Sequence, residues 1–231
     1  MTFSICARES YLDDEEREQI RYGVAVVTRL PRVGALCPFA NQSGAVSTQS
    51  RLNVELGRKG VAYLADGLRV GDALPALLNA DPNASHRQLH GVDQESAFAH
   101  TGEDCDGWAG HLVGENYSIA GNLLRSEAVV KSMEKAYVDG ERDDGFAQRL
   151  LAVLRAGEEV GGDARDELSI QSGAILIRDT EDYPIMEPAS HDVRIDATTT
   201  PVDDLQETLD AVITAHQEAL KSLREKYARL A

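Results

Sequence analysis

The first eight residues, MTFSICAR, constrain this chain more than any other stretch. Phe3, Ile5 and Ala7 alternate with Thr2, Ser4 and Cys6, the period that gives a strand two different faces. A strand that starts at the terminus holds it rigidly, whereas most termini fray. Thr2 is small enough to become the N-terminus once Met1 is removed. An N-terminal threonine carries nucleophile and base on one residue, because its α-amine can take the proton of its hydroxyl. An α-amine titrates near pH 7.7–8.0, so roughly a tenth to a fifth of it is neutral at pH 7. That is close to what a general base requires. The same residues also suit an ordinary first strand in which Thr2 has no chemical role.

Composition narrows the class. A chain of 231 residues supports one substantial core, and 42% hydrophobic residues is ordinary for a soluble protein. No apolar run reaches the length of a membrane span, and no basic segment leads into an apolar one at the N-terminus. The expectation is therefore a soluble, cytoplasmic protein without a membrane partner. A formal charge of −16 opposes binding to a phosphate backbone, so no nucleic-acid partner is expected. Cys6, Cys37 and Cys105 are odd in number and form no CxxC pair. This argues against a disulfide framework or a zinc knuckle.

Along the chain, Thr2–Arg8 and Tyr22–Arg29 read as a hairpin whose long connection is the polar stretch Tyr11–Arg21. Val33–Ala35 opens a small-residue segment, and Gly44–Ser50 reads as a strand. Asn53–Ala65 and Asp72–Ala80 have helical spacing. Arg87–Asp93, Ala97–Thr101 and Tyr117–Asn122 read as strands, followed by helices over Ala128–Tyr137 and Phe146–Ala156, the second stopped by Gly157. Ile170–Arg178 has the continuous apolar character of a buried strand, and Val193–Asp196 suggests another. The last helix spans Pro201–Leu230, with Thr200 as N-cap and Asp203 completing a variant capping box. Strands in groups with paired helices between them favour antiparallel sheets covered by helices, an α+β fold. The domain is expected over residues 1–200, with the C-terminal helix over 201–231.

Standard site motifs are absent: there is no Walker loop, dinucleotide fingerprint, HExxH or GxSxG. Gly161-Gly162-Asp163 lacks a following Lys-Ser/Thr and reads as a turn. His100, Asp104, Cys105 and His111 lie close in sequence but match no common zinc spacing, so neither a metal nor a cofactor is expected. Thr48, Gln49 and Asn122 are polar residues at strand ends, where sites commonly form.

Several blocks in order carry a resemblance. They are TFSI at Thr2–Ile5, GVAVVTR at Gly23–Arg29, VGA at Val33–Ala35, GAVSTQ at Gly44–Gln49 and RQL at Arg87–Leu89. HTGEDC at His100–Cys105, WAGH at Trp108–His111, GNLL at Gly121–Leu124, GGDAR at Gly161–Arg165 and QSGAIL at Gln171–Leu176 complete them. With these the chain resembles a bacterial and archaeal family labelled domain of unknown function 1028, grouped with the N-terminal-nucleophile hydrolases. The resemblance implies a four-layer αββα sandwich with the N-terminal residue at the mouth of a cleft between the sheets. The chain departs from the family pattern in a longer ARDELSI segment before Gln171, and in ATTTP after Asp196.

Two readings follow. In the first the protein is an amidohydrolase: Thr2 Oγ attacks the carbonyl of a small amide or peptide-like substrate and its α-amine shuttles the proton. Thr48, Gln49 and Asn122 then supply orientation and oxyanion contacts, and Arg29 depresses the amine pKa or holds a substrate carboxylate. In the second the same fold binds a ligand or serves assembly without catalysis. A homodimer is expected through the C-terminal helix. Val202, Leu205, Leu209, Val212, Ala219, Leu223, Tyr227 and Leu230 run close to a heptad seam, with His216 in the register.

Overall fold

The computed structural model describes residues 2–13, 15–140, 145–180 and 191–228, the side chains of 216 and 219–228 excepted. The fold is α+β, with two antiparallel sheets and five α-helices among the described residues. The larger sheet holds β1 (Thr2–Leu12), β2 (Glu18–Thr28), β7 (Trp108–Val113), β8 (Tyr117–Leu124), β9 (Gln171–Asp179) and β10 (Asp192–Thr198), in the order β10-β9-β2-β1-β8-β7. The smaller holds β3 (Pro38–Asn41), β4 (Gly44–Ser50), β5 (Arg87–Asp93) and β6 (Ala97–Thr101), in chain order. The sheets lie face to face through β1, β2 and β8 against β4 and β5. Helices α1 (Val54–Ala65) and α2 (Val70–Ala80) cover the smaller sheet, and α3 (Ala128–Asp139), α4 (Phe146–Glu159) and α5 (Pro201–Ala228) cover the larger.

The alternation in β1 decides this layering. Phe3, Ile5 and Ala7 enter the largest core with Val130, Met133, Leu150 and Leu154 of α3 and α4. The other face of β1 meets the smaller sheet, where Cys6 packs with Tyr22, Val24, Ala45 and Val92. Period two thus divides one strand between an apolar layer and an inter-sheet layer.

Four local expectations need correction. The polar stretch Tyr11–Arg21 is largely strand, because the hairpin stays in register from Thr2↔Thr28 to Leu12↔Glu18. Its charges are paired across the ladder: Arg21 stacks 3.7 Å from the Tyr11 ring and bonds Asp179, and Asp13 closes the turn by accepting from the Glu15 and Arg17 amides. Strands β3 and β7 were not expected; both are short edge strands of mixed composition that show little alternation. Gly157 lies inside α4 rather than ending it; glycine there serves close packing, as a Cβ would come within 2.9 Å of Met133 Cγ. The turn comes later, at Gly161 and Gly162, both with positive φ. At the start of α5, Asp204 rather than Asp203 accepts from the Thr198 and Thr200 hydroxyls, while Asp203 pairs with Arg155.

Val202, Leu205 and Leu209 of α5 are fully buried in the main core. Val212 is 39% exposed, so the apolar seam leaves the body of the protein about there. The rest of the expected seam, from Ala219 onward, lies outside the described side chains. No described helix is long and apolar enough to cross a membrane.

Candidate active site

Strand β1 lies inside the larger sheet, so Thr2 has a neighbour on each side: Thr28 on β2 and Asn122 on β8. All three are buried, and Thr2 Oγ1 donates to Thr28 Oγ1 at 3.2 Å. Thr2 shares its face with Ser4, which reaches across to Gln49 Oε1 of the smaller sheet at 2.8 Å. The terminal strand residue is therefore held at one end of the inter-sheet layer.

Away from its apolar patch, that layer is polar. Gln88 Oε1 accepts from Gln49 Nε2 at 3.0 Å and from Asn122 Nδ2 at 2.9 Å. Gln88 Nε2 reaches the Gly121 carbonyl at 2.7 Å and Thr101 Oγ1 at 3.0 Å. Ser4 Oγ meets His90 Nε2 at 2.8 Å, and His90 Nδ1 meets Ser118 Oγ at 3.0 Å. Ser4, Ser47, Gln49, Gln88, His90 and Ser118 are all fully buried. Such a seam is tolerable because each buried group finds a partner.

The structure brings Thr2, Gln49 and Asn122 onto this seam and gives the side chains of Thr48 and Arg29 partners outside it. Thr48 faces the opposite side of β4, donating to the Asn53 carbonyl at 3.1 Å where α1 begins. Arg29 turns to the 163–168 loop, donating to the carbonyls of Arg165 and Leu168 and lying 3.6 Å from Asp166. It clamps the longer ARDELSI segment. Ser4, Ser47, Gln88, His90 and Ser118 were not expected. Their signal was present: Ser4/Cys6, Ser47/Gln49 and Gln88/His90 repeat polar or thiol residues two apart in apolar strands, and Ser118/Asn122 repeat them four apart, on the same face.

Two residues beside the seam have left-handed backbone, Ser50 (φ 71°) after Gln49 and Leu123 (φ 53°) after Asn122. For Leu123 this is strained, and strain of this kind concentrates at functional sites. The Leu123 amide donates to the Asp106 carbonyl and its own carbonyl accepts from Ala164, which hold the conformation.

Burial, aided by the field of His111, lowers the His90 pKa from 6.5 to about 3. The unfolded chain then binds more protons than the folded one between those values. The contribution of His90 is therefore complete above about pH 6.5 and lost as pH falls toward 3. Urea unfolding at stepped pH is expected to show this loss, and His90→Gln to flatten the slope.

His100, Asp104, Cys105 and His111 each have other partners. His100 Nε2 contacts the Ala84 carbonyl, His111 Nδ1 contacts Thr101 Oγ1, Cys105 Sγ contacts the Arg87 carbonyl, and Asp104 lies 3.9 Å from His86. Among the described residues no three His, Cys, Asp or Glu side chains are grouped to hold a metal. Burial raises the thiol pKa of Cys6 and pushes that of Cys37 up to about 12. All three cysteines are expected to be reduced and to bind no metal, with half-buried Cys105 modified first by a thiol reagent and the others only on unfolding. Stoichiometric zinc by elemental analysis would contradict this.

A cavity of about 550 Å³ opens at the opposite end of the sheets, lined by Glu18, Tyr22, Gln42, Arg69, Asp93 and Thr180 among others. It is remote in the fold from Thr2, which marks the other end of β1.

Two face-to-face antiparallel sheets, helices outside and a buried polar seam define a layered α+β sandwich protein. The chain belongs to a family of unknown function, DUF1028, whose family model matches residues 2–205. It is similar to protein SPO2555 from Silicibacter pomeroyi, whose crystal structure carries the same family model. That likeness has 26% identity and a TM-score of 0.73, over 91% of this chain and 88% of the other. No curated protein matches the chain.

Proposed function

We propose that the protein is an N-terminal-nucleophile amidohydrolase in which Thr2, exposed by removal of Met1, attacks a small amide or peptide-like substrate. The observation that carries this reading is the position of Thr2. It opens an inner strand with its hydroxyl on the inter-sheet face, between Thr28 and Asn122. The neutral α-amine takes the hydroxyl proton as Oγ1 bonds to the carbonyl carbon. The tetrahedral intermediate then expels the amine, which leaves with that proton, and water hydrolyses the resulting ester. Asn122 spends one amide proton on Gln88 and has a second for the oxyanion. On this reading the sandwich is N-terminal-nucleophile-hydrolase-like and works in the cytoplasm without a cofactor. Arg29 and Thr48 act as scaffold, given their partners. The test is release of aminocoumarin from a panel of acyl-aminocoumarin amides by Met1-free protein, compared with protein that retains Met1. Equal release by the two would sink the mechanism.

The 550 Å³ cavity favours a second reading, ligand binding without catalysis, because it lies away from Thr2. A protein that retains Met1 in its native host would support that alternative.

The proposed partner is a second copy of the chain, docked through the half of α5 beyond Val212. Light scattering is expected to report a dimer for the full chain and a monomer for a chain ending at Ala215. A monomeric full chain, or a dimer that survives truncation, would refute this.

A further inference from the structure

We propose that Gln88 is the positioning residue for Asn122 and that His90 fixes the opposite arm of the same hydrogen-bond relay, whose donors converge on Gln88 Oε1; this rests on the reading of Thr2 above. The direction follows from what each group can donate. Backbone carbonyls only accept, so the contacts of Gln88 with the carbonyls of Gly121 (2.7 Å) and Gly110 (3.2 Å) must be made by its amide nitrogen. Its oxygen then faces Gln49 and Asn122, and both must present nitrogen to it. With the nitrogen of Gln49 committed, its oxygen accepts from Ser4 Oγ at 2.8 Å.

The proton of Ser4 is now spent, so its oxygen accepts from His90 Nε2 at 2.8 Å and from Ser47 Oγ at 3.3 Å. His90 is thereby fixed as the Nε2–H tautomer, and its Nδ1 lone pair takes the Ser118 hydroxyl at 3.0 Å in preference to the Gly91 carbonyl, which lies 3.3 Å from the same hydroxyl. Turning over any one amide would set two donors or two acceptors face to face. No member is more than 3% exposed, so water does not compensate for such an error. Burial also keeps the imidazole neutral, with a pKa of about 3, so the tautomer persists across the working pH range. The second arm that meets at Gln88 Oε1 is Asn122, the cross-strand neighbour of Thr2, locked with one N–H inward and the second left for substrate. Inverted, its oxygen would oppose Gln88 Oε1 and the donor would be lost.

Nuclear magnetic resonance on the full chain tests the relay without any substrate. Long-range ¹⁵N spectra are expected to show His90 with its proton on Nε2, and the Asn122 side-chain amide to exchange slowly with solvent. Gln88→Met removes the amide at nearly constant length and is expected to accelerate that exchange strongly. Ser4→Ala removes one hydroxyl, is the milder change if Gln88→Met does not fold, and is expected to shift it the same way. In turnover, both are expected to lower kcat by about ten- to a hundredfold while KM stays nearly constant, as a misplaced oxyanion donor would. A proton on His90 Nδ1, or Asn122 exchange unchanged in a folded variant, overturns the relay. Failure of the Thr2 reading shows itself separately, as full turnover in Thr2→Ala with the resonance results intact.

Discussion

Thr2→Ala is expected to abolish turnover on any amide substrate, by about three orders of magnitude or more, because nucleophile and proton acceptor act as one unit. The fold should survive. The substitution removes one hydroxyl whose bond to Thr28 is 3.2 Å long, a loss of about 1 kcal/mol. The β1 pairings on either side are made by the backbone and persist. Thr2→Ser keeps the hydroxyl and the amine and is expected to retain part of the activity. Steady-state kinetics beside thermal unfolding separate the two effects. Wild-type turnover in the alanine variant would remove Thr2 from the mechanism.

The largest expected change in stability lies far from the seam. Arg149 of α4 bonds Glu9 of β1 at 2.6 Å, and both side chains are only 8% exposed. The guanidinium also donates to the Tyr137 carbonyl at 3.3 Å and stacks 4.9 Å from the Tyr137 ring. Arg149→Met fills similar space but strips Glu9 of its closest cation. Removing one partner of a buried pair costs 3–5 kcal/mol. A loss of about 3 kcal/mol is expected here, because Arg21 Nη1 remains 3.9 Å from Glu9. Urea denaturation should show it as a fall in midpoint at constant slope. Replacing both residues, Glu9→Leu with Arg149→Met, should recover much of the loss, since no buried charge is then left alone. A single variant within 1 kcal/mol of wild type would refute the argument.

Much of the fold was legible because burial imposes period two on strands with unlike faces. The alternation in Thr2–Ala7 and the apolar run at Gln171–Ile177 place the central strands directly. Helix α1 was equally plain, with Asn53 accepting from the Glu55 amide at its start. The polar hairpin end was misread because ionic and stacking contacts across the ladder, rather than apolar ones, hold Tyr11 and Arg21 in strand. Strands β3 and β7 escaped because edge strands are half-covered and need no strict pattern. At the site, one-residue differences in register decided the outcome. Gln49 and Thr48 are adjacent in sequence, yet one enters the seam and the other caps the approach to α1. The loop partners of Arg29 were hidden for another reason: they lie in the 163–168 segment, far along the chain. Gln88 and His90 carried a sequence signal that only pairing with β4 could explain, since a polar residue in a buried strand gains meaning from what faces it.

Intact mass spectrometry of untagged protein purified from its native host reads whether Thr2 becomes the N-terminus. The expected mass is one methionine residue below that of the full sequence, with no acyl group on the new amine. Quantitative retention of Met1, or an acylated Thr2, would leave no free amine to take the hydroxyl proton and would contradict the proposed role of Thr2.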